Sequence, residues 1–144
     1  MIDPSVQDRA VQDRLHRLCR RYLRVAFFYL SVGLLLGAGM FAFGSDSLLF
    51  LHTHMLLVGF VLFLIYGIGF KLIPTMFFGL PRVVSIGWTE IQFWLANVGL
   101  AGMLIGAVMP AGLGLDRIAV LFGLVEAAAG ILFAGLMVRT IGGK

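Results

Sequence analysis

Charged side chains and cysteine are both scarce in this chain of 144 residues. Only 12% of the residues are charged and 60% are hydrophobic, whereas a soluble domain has about twice that share of charge. The composition therefore excludes an ordinary water-soluble domain. The single cysteine, Cys19, excludes a disulfide framework within one chain and any thiolate metal cluster built from one subunit.

What the chain does contain is four long apolar runs, each close to the roughly 20 residues that a helix needs to cross a bilayer. They cover residues 25–43, 48–70, 91–109 and 118–138, and Glu126 is the one formal charge inside them. No stretch alternates with the period of a β-barrel, so lipid requires helices. The sequence predicts an all-α, polytopic membrane protein built as a four-transmembrane-helix bundle.

The distribution of Lys and Arg predicts the orientation of the spans. Ten of the eleven lie on one side, and Arg117 alone lies on the other. By the positive-inside rule both termini are cytoplasmic in a bacterial-type inner membrane, while the 44–47 turn and the 110–116 loop face outward. The net charge of +4 then reflects topology and gives no support for nucleic acid binding. The one long connection is predicted on the cytoplasmic side and contains Pro74, Thr75, Gly79, Pro81 and Arg82.

Residues 1–22 precede the first apolar run and predict an amphipathic interfacial helix, separate from a transmembrane domain at 23–144. Asp3 and Pro4 can form its cap and first turn. We expect this helix to lie on anionic lipid headgroups, with arginines on its other faces. Its apolar face consists of Val11, Leu15, Leu18 and Tyr22.

His52 and His54 are the residues best suited to chemistry, because they lie in the first turns of the second span, where polar side chains are costly and commonly functional. Positions i and i+2 of a helix point roughly 200° apart, so one helix cannot direct both rings at one metal ion. The remaining histidine, His16, lies about 30 Å away across the membrane. A bis-His site therefore requires another copy of the chain, whereas Met40 or Met109 would allow His/Met ligation within one subunit.

The stretch Leu-His-Thr-His-Met-Leu-Leu-Val-Gly-Phe at residues 51–60, continuing through 65–70 to Pro74, resembles the haem-ligating second helix of subunit I in the haem-copper oxidase superfamily. It is most similar to the nitric oxide reductase, cbb-type oxidase and NnrS-like branches. In that family a Leu-His-Thr motif opens the second helix near the outer surface, and its histidine, matched here by His52, ligates the low-spin haem. The spacing of His52 and His54 is also similar to the family's His-x-His, whose histidines ligate two haems.

The chain departs from this family in size and in ligands. Family subunits have about twelve helices and further histidines for a copper or iron, and Phe70-Lys71 stands where NnrS-like relatives often have Tyr-His. We therefore do not expect a complete oxidase or nitric oxide reductase. The family fold consists of three arcs of four helices, and this chain has the size of one arc. We expect a homotrimer in which His52 of one subunit and His54 of the next hold a haem b, with a homodimer as the second choice.

Bis-His ligation fills both axial positions, which favours a cytochrome b-like role in electron transfer or in redox and gas sensing, with a quinol or a cytochrome as redox partner. The alternative is an oligomeric membrane scaffold or metal-handling protein that binds copper or zinc through His52 and His54. Gly59 is the candidate small residue beside a flat macrocycle. Glu126, near the membrane midplane, is a candidate proton-relay group; otherwise it is a neutral carboxyl bonded to Asn97 or to a backbone carbonyl.

Small residues recur in the first three spans and predict close contacts between helices. These positions are Gly33, Gly37, Gly39, Gly59, Gly67, Gly69, Gly99, Gly102 and Gly106.

Overall fold

A computed structural model describes residues 4–78, 85–109 and 116–142. Within these ranges the chain is helical, without strands. The elements are α1 (Pro4–Phe43), α2 (Leu49–His54), a π-helical stretch (Met55–Leu62), α3 (Phe63–Phe78), α4 (Ile86–Val108) and α5 (Asp116–Ile141). Four segments are long and apolar enough to cross a membrane, namely Arg9–Phe43, Leu49–Phe77, Ile86–Val108 and Arg117–Ile141. The predicted all-helical fold with four candidate spans is confirmed.

The turn between α1 and α2 is tight because a glycine ends the first helix. Gly44 has φ of 59°, in the left-handed region that side chains disfavour. The Ser45 N–H donates to the Met40 carbonyl over 3.1 Å, which is the long bond of a Schellman helix end. The Leu49 N–H then donates to the Asp46 carbonyl over 3.0 Å as α2 begins. The tight turn predicted at 44–47 is present.

Helix α1 is a single unbroken helix of 40 residues, about 60 Å long at 1.5 Å per residue. No break at residue 22 separates an interfacial helix from the transmembrane part. Leu15, Leu18 and Tyr22 are buried, whereas Arg14 and Arg17 are exposed. Three of the four residues of the predicted apolar face are therefore buried within the bundle, and the fourth, Val11, is half-buried. Asp3 lies outside the described residues.

Glycines set the packing of α1 against the second span, which runs antiparallel to it. A Cβ on Gly33 would stand 2.8 Å from a methyl of Leu56, and one on Gly67 would stand 2.8 Å from the Cβ of Tyr22. At Gly67 the close atom is fixed to the backbone of α1, so glycine is required there, whereas at Gly33 the end of the flexible Leu56 side chain can move aside. Later positions on α1 contact earlier positions on the second span, as an antiparallel pair of helices requires.

The seam between α4 and α5 is closer still, because backbone meets backbone. A Cβ on Gly99 would stand 2.6 Å from the amide nitrogen of Glu126, and one on Gly106 would stand 2.6 Å from that of Ala119. Gly102 faces the ring of Phe122. Of the nine glycines predicted to make close contacts, eight do so, and Gly39 has open space around it.

Two features of the second span depart from the sequence-based expectation. Its hydrogen bonding changes to the π-helical pattern over Met55–Leu62, directly after the histidines; such stretches are rare and are frequent at functional sites. The helix then continues through Pro74 to Phe78, so assigning Pro74 and Thr75 to the connection was wrong. The Thr75 hydroxyl donates to the Lys71 carbonyl over 2.7 Å, which gives the region around Pro74 a local hydrogen bond. Gly79, Pro81, Arg82 and residues 110–115 lie outside the described residues.

The antiparallel packing of α1 and α3 brings cations together at one end of the bundle and leaves His52 at the other. We call the end that carries Arg17, Arg20 and Lys71 the arginine end, since these three line one cavity. We call the opposite end, where His52 meets Gly37, the histidine end. The structure thus brings α1 and α3 cations that are distant in sequence to one end. The flanks between the ends expose large apolar side chains, among them Leu35, Phe41 and Ile131, as a bilayer environment favours.

Candidate functional site

His52 is held between α2 and α1. Its Nδ1–H donates to the carbonyl oxygen of Gly33 over 2.8 Å. The ring also occupies the space beside Gly37, where an added Cβ would stand 2.5 Å from Cε1 and 3.3 Å from Nε2. Two glycines on α1 therefore hold this imidazole, one through its carbonyl and one through its missing side chain.

His54 is held by its own helix. Its Nδ1–H donates to the carbonyl oxygen of Phe50 over 2.8 Å. Its ring stacks on the Phe50 ring, with centroids 3.9 Å apart and 28° between the planes. His52 thus faces α1, while the contacts of His54 lie within α2, in agreement with the divergence predicted from the i, i+2 spacing.

The two hydrogen bonds have the same chemical consequence. A carbonyl oxygen only accepts, so each Nδ1 carries the proton and a neutral ring keeps its free lone pair on Nε2. Histidines that ligate metals are commonly anchored in this way through their second nitrogen. Among the described residues neither Nε2 has a hydrogen-bond partner, and neither is sealed from the surface.

An imidazole nitrogen with a free lone pair is a donor that suits a haem iron, and each ring has one: that of His52 lies at the contact with α1, and that of His54 lies outside this contact. The pair does not fit a closed metal site within one chain. The described residues contain no group of three or more His, Cys, Asp or Glu side chains that would hold a metal ion. A copper or zinc ion would need additional ligands from elsewhere, as a six-coordinate haem would need a second axial ligand.

The other candidates predicted from the sequence are Gly59, Met40 and Met109. Gly59 is buried in the π-helical stretch, and the ring of Tyr29 covers it, since a Cβ there would stand 2.5 Å from Tyr29 Cγ. Met40 lies one turn beyond Gly37 on α1, and Met109 follows α4 with 42% exposure. Within the single chain Gly59 therefore serves the contact with α1.

Glu126 is buried in α5, and both its carboxyl oxygens lack a hydrogen-bond partner among the described residues. The hydrogen bond considered between Glu126 and Asn97 is not formed, because Asn97 donates to the Phe93 carbonyl in its own helix over 2.7 Å. The Tyr66 hydroxyl is also buried without a partner in the part of the chain that the structure describes. Within residues 4–78, 85–109 and 116–142, two buried side chains, Tyr66 on α3 and Glu126 on α5, thus have polar atoms without a hydrogen-bond partner.

Tyr22 and Gln92 form a buried hydrogen-bonded pair that was not predicted from the sequence. The Tyr22 hydroxyl donates to the amide oxygen of Gln92, and the Gln92 amide donates to the Ala129 carbonyl over 3.3 Å. Tyr22 is fully buried and packs edge-on against Phe93. The spacing of Leu15, Tyr22 and Tyr29 at intervals of seven is the signal that places them on one buried face.

The arginine end carries a cavity of about 690 Å³ between α1 and α3. From Gly37 to Arg20 along α1 is about 25 Å at the helical rise, so this cavity is separate from the histidine pair.

Comparisons of the chain with protein-family models, with curated proteins and with solved structures find no match.

Proposed function

We propose that the protein is a membrane haem protein in which His52 and His54 are axial ligands of a haem b shared between neighbouring copies of the chain. The observation that carries this proposal is the anchoring of both Nδ1 atoms on backbone carbonyls, which leaves two Nε2 donors on different sides of one helix. Because they diverge, His52 of one copy and His54 of the next would supply the two ligands. A bound haem would supply one-electron redox chemistry.

The divergent donors also support the proposed homo-oligomer. An interface in which a haem joins His52 of one subunit to His54 of the next uses two different surfaces, so it is heterologous, and we propose that the rotation between copies closes it into a ring. A homotrimer is our first choice, because the sequence resembles one four-helix arc of a three-arc family, and a homodimer is the second. Two filled axial positions favour electron transfer or redox sensing, with a quinol or a cytochrome as partner. Gas sensing, the other part of this proposal, would require a gas to displace one of the two axial ligands.

The proposed location is a bacterial-type inner membrane with both termini cytoplasmic. The support is the positive-inside rule, together with the clustering of Arg17, Arg20 and Lys71 at one end of the bundle. In this orientation the histidine end faces outward. Within the same proposal Glu126 is the candidate proton-relay group, since its carboxyl is buried and unpaired.

The deciding experiment measures haem in the purified full chain. We expect an absorbance spectrum with a sharp Soret band that shifts on dithionite reduction, and loss of that band in both His52→Ala and His54→Ala. His16→Ala is the matched control, because His16 lies at the other end of the molecule, and it should retain haem. A colourless sample that contains stoichiometric copper or zinc would instead favour the metal-handling alternative.

Sharing of ligands between copies has its own test. Co-expression of the His52→Ala and His54→Ala chains should restore haem at interfaces where an intact His52 meets an intact His54, about one quarter of them if the copies mix at random in a closed ring. No restoration in mixed oligomers, or a haem-loaded monomer, would contradict sharing. Mass measurement of the haem-loaded species gives the number of subunits.

A further inference from the structure

The cavity at the arginine end is lined by two antiparallel helices whose side chains change character along its length. Arg17 and Arg20 come from α1 and Lys71 comes from α3, and all three are exposed. Asp13 is the one acidic side chain in the lining. The cations therefore outnumber the acid, and the cavity attracts an anion.

The other part of the same cavity is apolar. Leu23 on α1 lies beyond Arg20, and Ile68 on α3 lies one turn before Lys71, so both are nearer the middle of their spans than the cations are. Leu72 also lines the cavity, but it follows Lys71 and lies on the same side of the cavity as the cations. Because the helices are antiparallel, the cations lie toward the end of the bundle, while Leu23 on one wall and Ile68 on the other lie toward its centre.

We propose that this cavity binds one anionic phospholipid, with the headgroup phosphate among Arg17, Arg20 and Lys71 and an acyl chain along Leu23 and Ile68. The gradient of the lining matches the direction in which a phospholipid lies in one leaflet. A small soluble anion would have no apolar surface to pack against the apolar part of the cavity. Basic pockets between transmembrane helices are known to select anionic headgroups, and a zwitterionic lipid would bring an ammonium group against three cations.

The test uses the purified full chain in detergent, titrated with phosphatidylglycerol or with phosphatidylcholine of the same acyl chains, and counts bound lipid by native mass spectrometry. We expect one phosphatidylglycerol to be retained per chain in preference to phosphatidylcholine. Lys71→Gln and Arg20→Gln should each weaken its binding about fivefold. Arg14→Gln is the matched control, because Arg14 is exposed on the same helix outside the cavity lining, and it should bind as the unaltered chain does.

A second variant separates a lipid from a free phosphate. Ile68→Trp fills the apolar part of the cavity and leaves the cations in place. It should therefore reduce the binding of phosphatidylglycerol, while inorganic phosphate should bind weakly to the variant and to the unaltered chain alike. Circular dichroism of each variant verifies that the helices remain. Equal binding of both lipids, an equal loss in Arg14→Gln, or inorganic phosphate binding as tightly as the lipid would each overturn the proposal.

Discussion

The imidazole of His52 occupies the space that a side chain at Gly37 would need, and its Nδ1 is tied to the carbonyl of Gly33 one turn away. The position of the His52 ring on the second span therefore depends on the missing side chain of Gly37 on α1.

Gly37→Ala should displace His52. An added Cβ would stand 2.5 Å from Cε1 and 2.9 Å from Nδ1, so the ring must move and the bond to Gly33 must lengthen. We expect a loss of about 1–3 kcal/mol in unfolding free energy, measured by thermal or denaturant unfolding in detergent, and a lower haem content under the proposed function. Gly39→Ala is the control, because no atom lies near that position; unfolding no earlier in Gly37→Ala than in Gly39→Ala would contradict the packing.

Gly106→Ala should open the seam between α4 and α5. Its Cβ would meet the Ala119 backbone at 2.6 Å, and backbone cannot rotate away as a flexible side chain can. We expect a destabilisation of about 1–3 kcal/mol in the same unfolding measurement. Gly135→Ala, in open space on α5, should be neutral or slightly more stable, because alanine favours helix over glycine; matching losses at both sites would count against a close seam.

Two buried polar residues on neighbouring helices should respond in opposite ways to leucine. Gln92→Leu leaves the buried Tyr22 hydroxyl without its partner, which costs about 1–3 kcal/mol. Glu126→Leu removes two buried oxygens that have no partner, so we expect unchanged or greater stability. The midpoints of thermal unfolding give the comparison, and a larger loss in Glu126→Leu than in Gln92→Leu would show that the Glu126 carboxyl is satisfied in the folded protein.

Gly59→Ala distinguishes helix packing from contact with a macrocycle. Tyr29 covers Gly59, so the substitution should lower stability by forcing α1 away from the second span. Gly123→Ala is the control, since its Cβ would meet only the Met103 sulfur at 3.5 Å. Full stability with a selective loss of haem in Gly59→Ala would instead assign Gly59 to the cofactor.

The spans and most of their glycine contacts were accessible from the sequence for a simple reason. A segment that crosses lipid must be a long apolar helix, and helices that pack closely in lipid need small residues at the contact. The local composition of the sequence therefore indicates both the spans and their close contacts. The divergence of His52 and His54 followed from helical geometry alone. Gly39 was the exception, because composition does not show whether another helix passes over a given glycine.

Features that depend on distant packing could not be read in the same way. The Tyr22 and Gln92 side chains are 70 positions apart in the chain, and no local pattern pairs them. The π-helical stretch at Met55–Leu62 has no composition of its own, because it depends on which carbonyl each amide finds. The burial of Leu15 and Leu18 also needed the structure, since an amphipathic face suits a membrane surface and a neighbouring helix equally well.

Because α1 is unbroken, Gly37 at one end and Arg17 at the other belong to one stiff rod. Long helices bend sharply mainly at a proline or a π-bulge, and α1 has neither between these residues. A tilt or rotation of α1 at the histidine end is therefore also a movement of one wall of the cavity at the arginine end. The two ends of the protein are mechanically linked through its first helix.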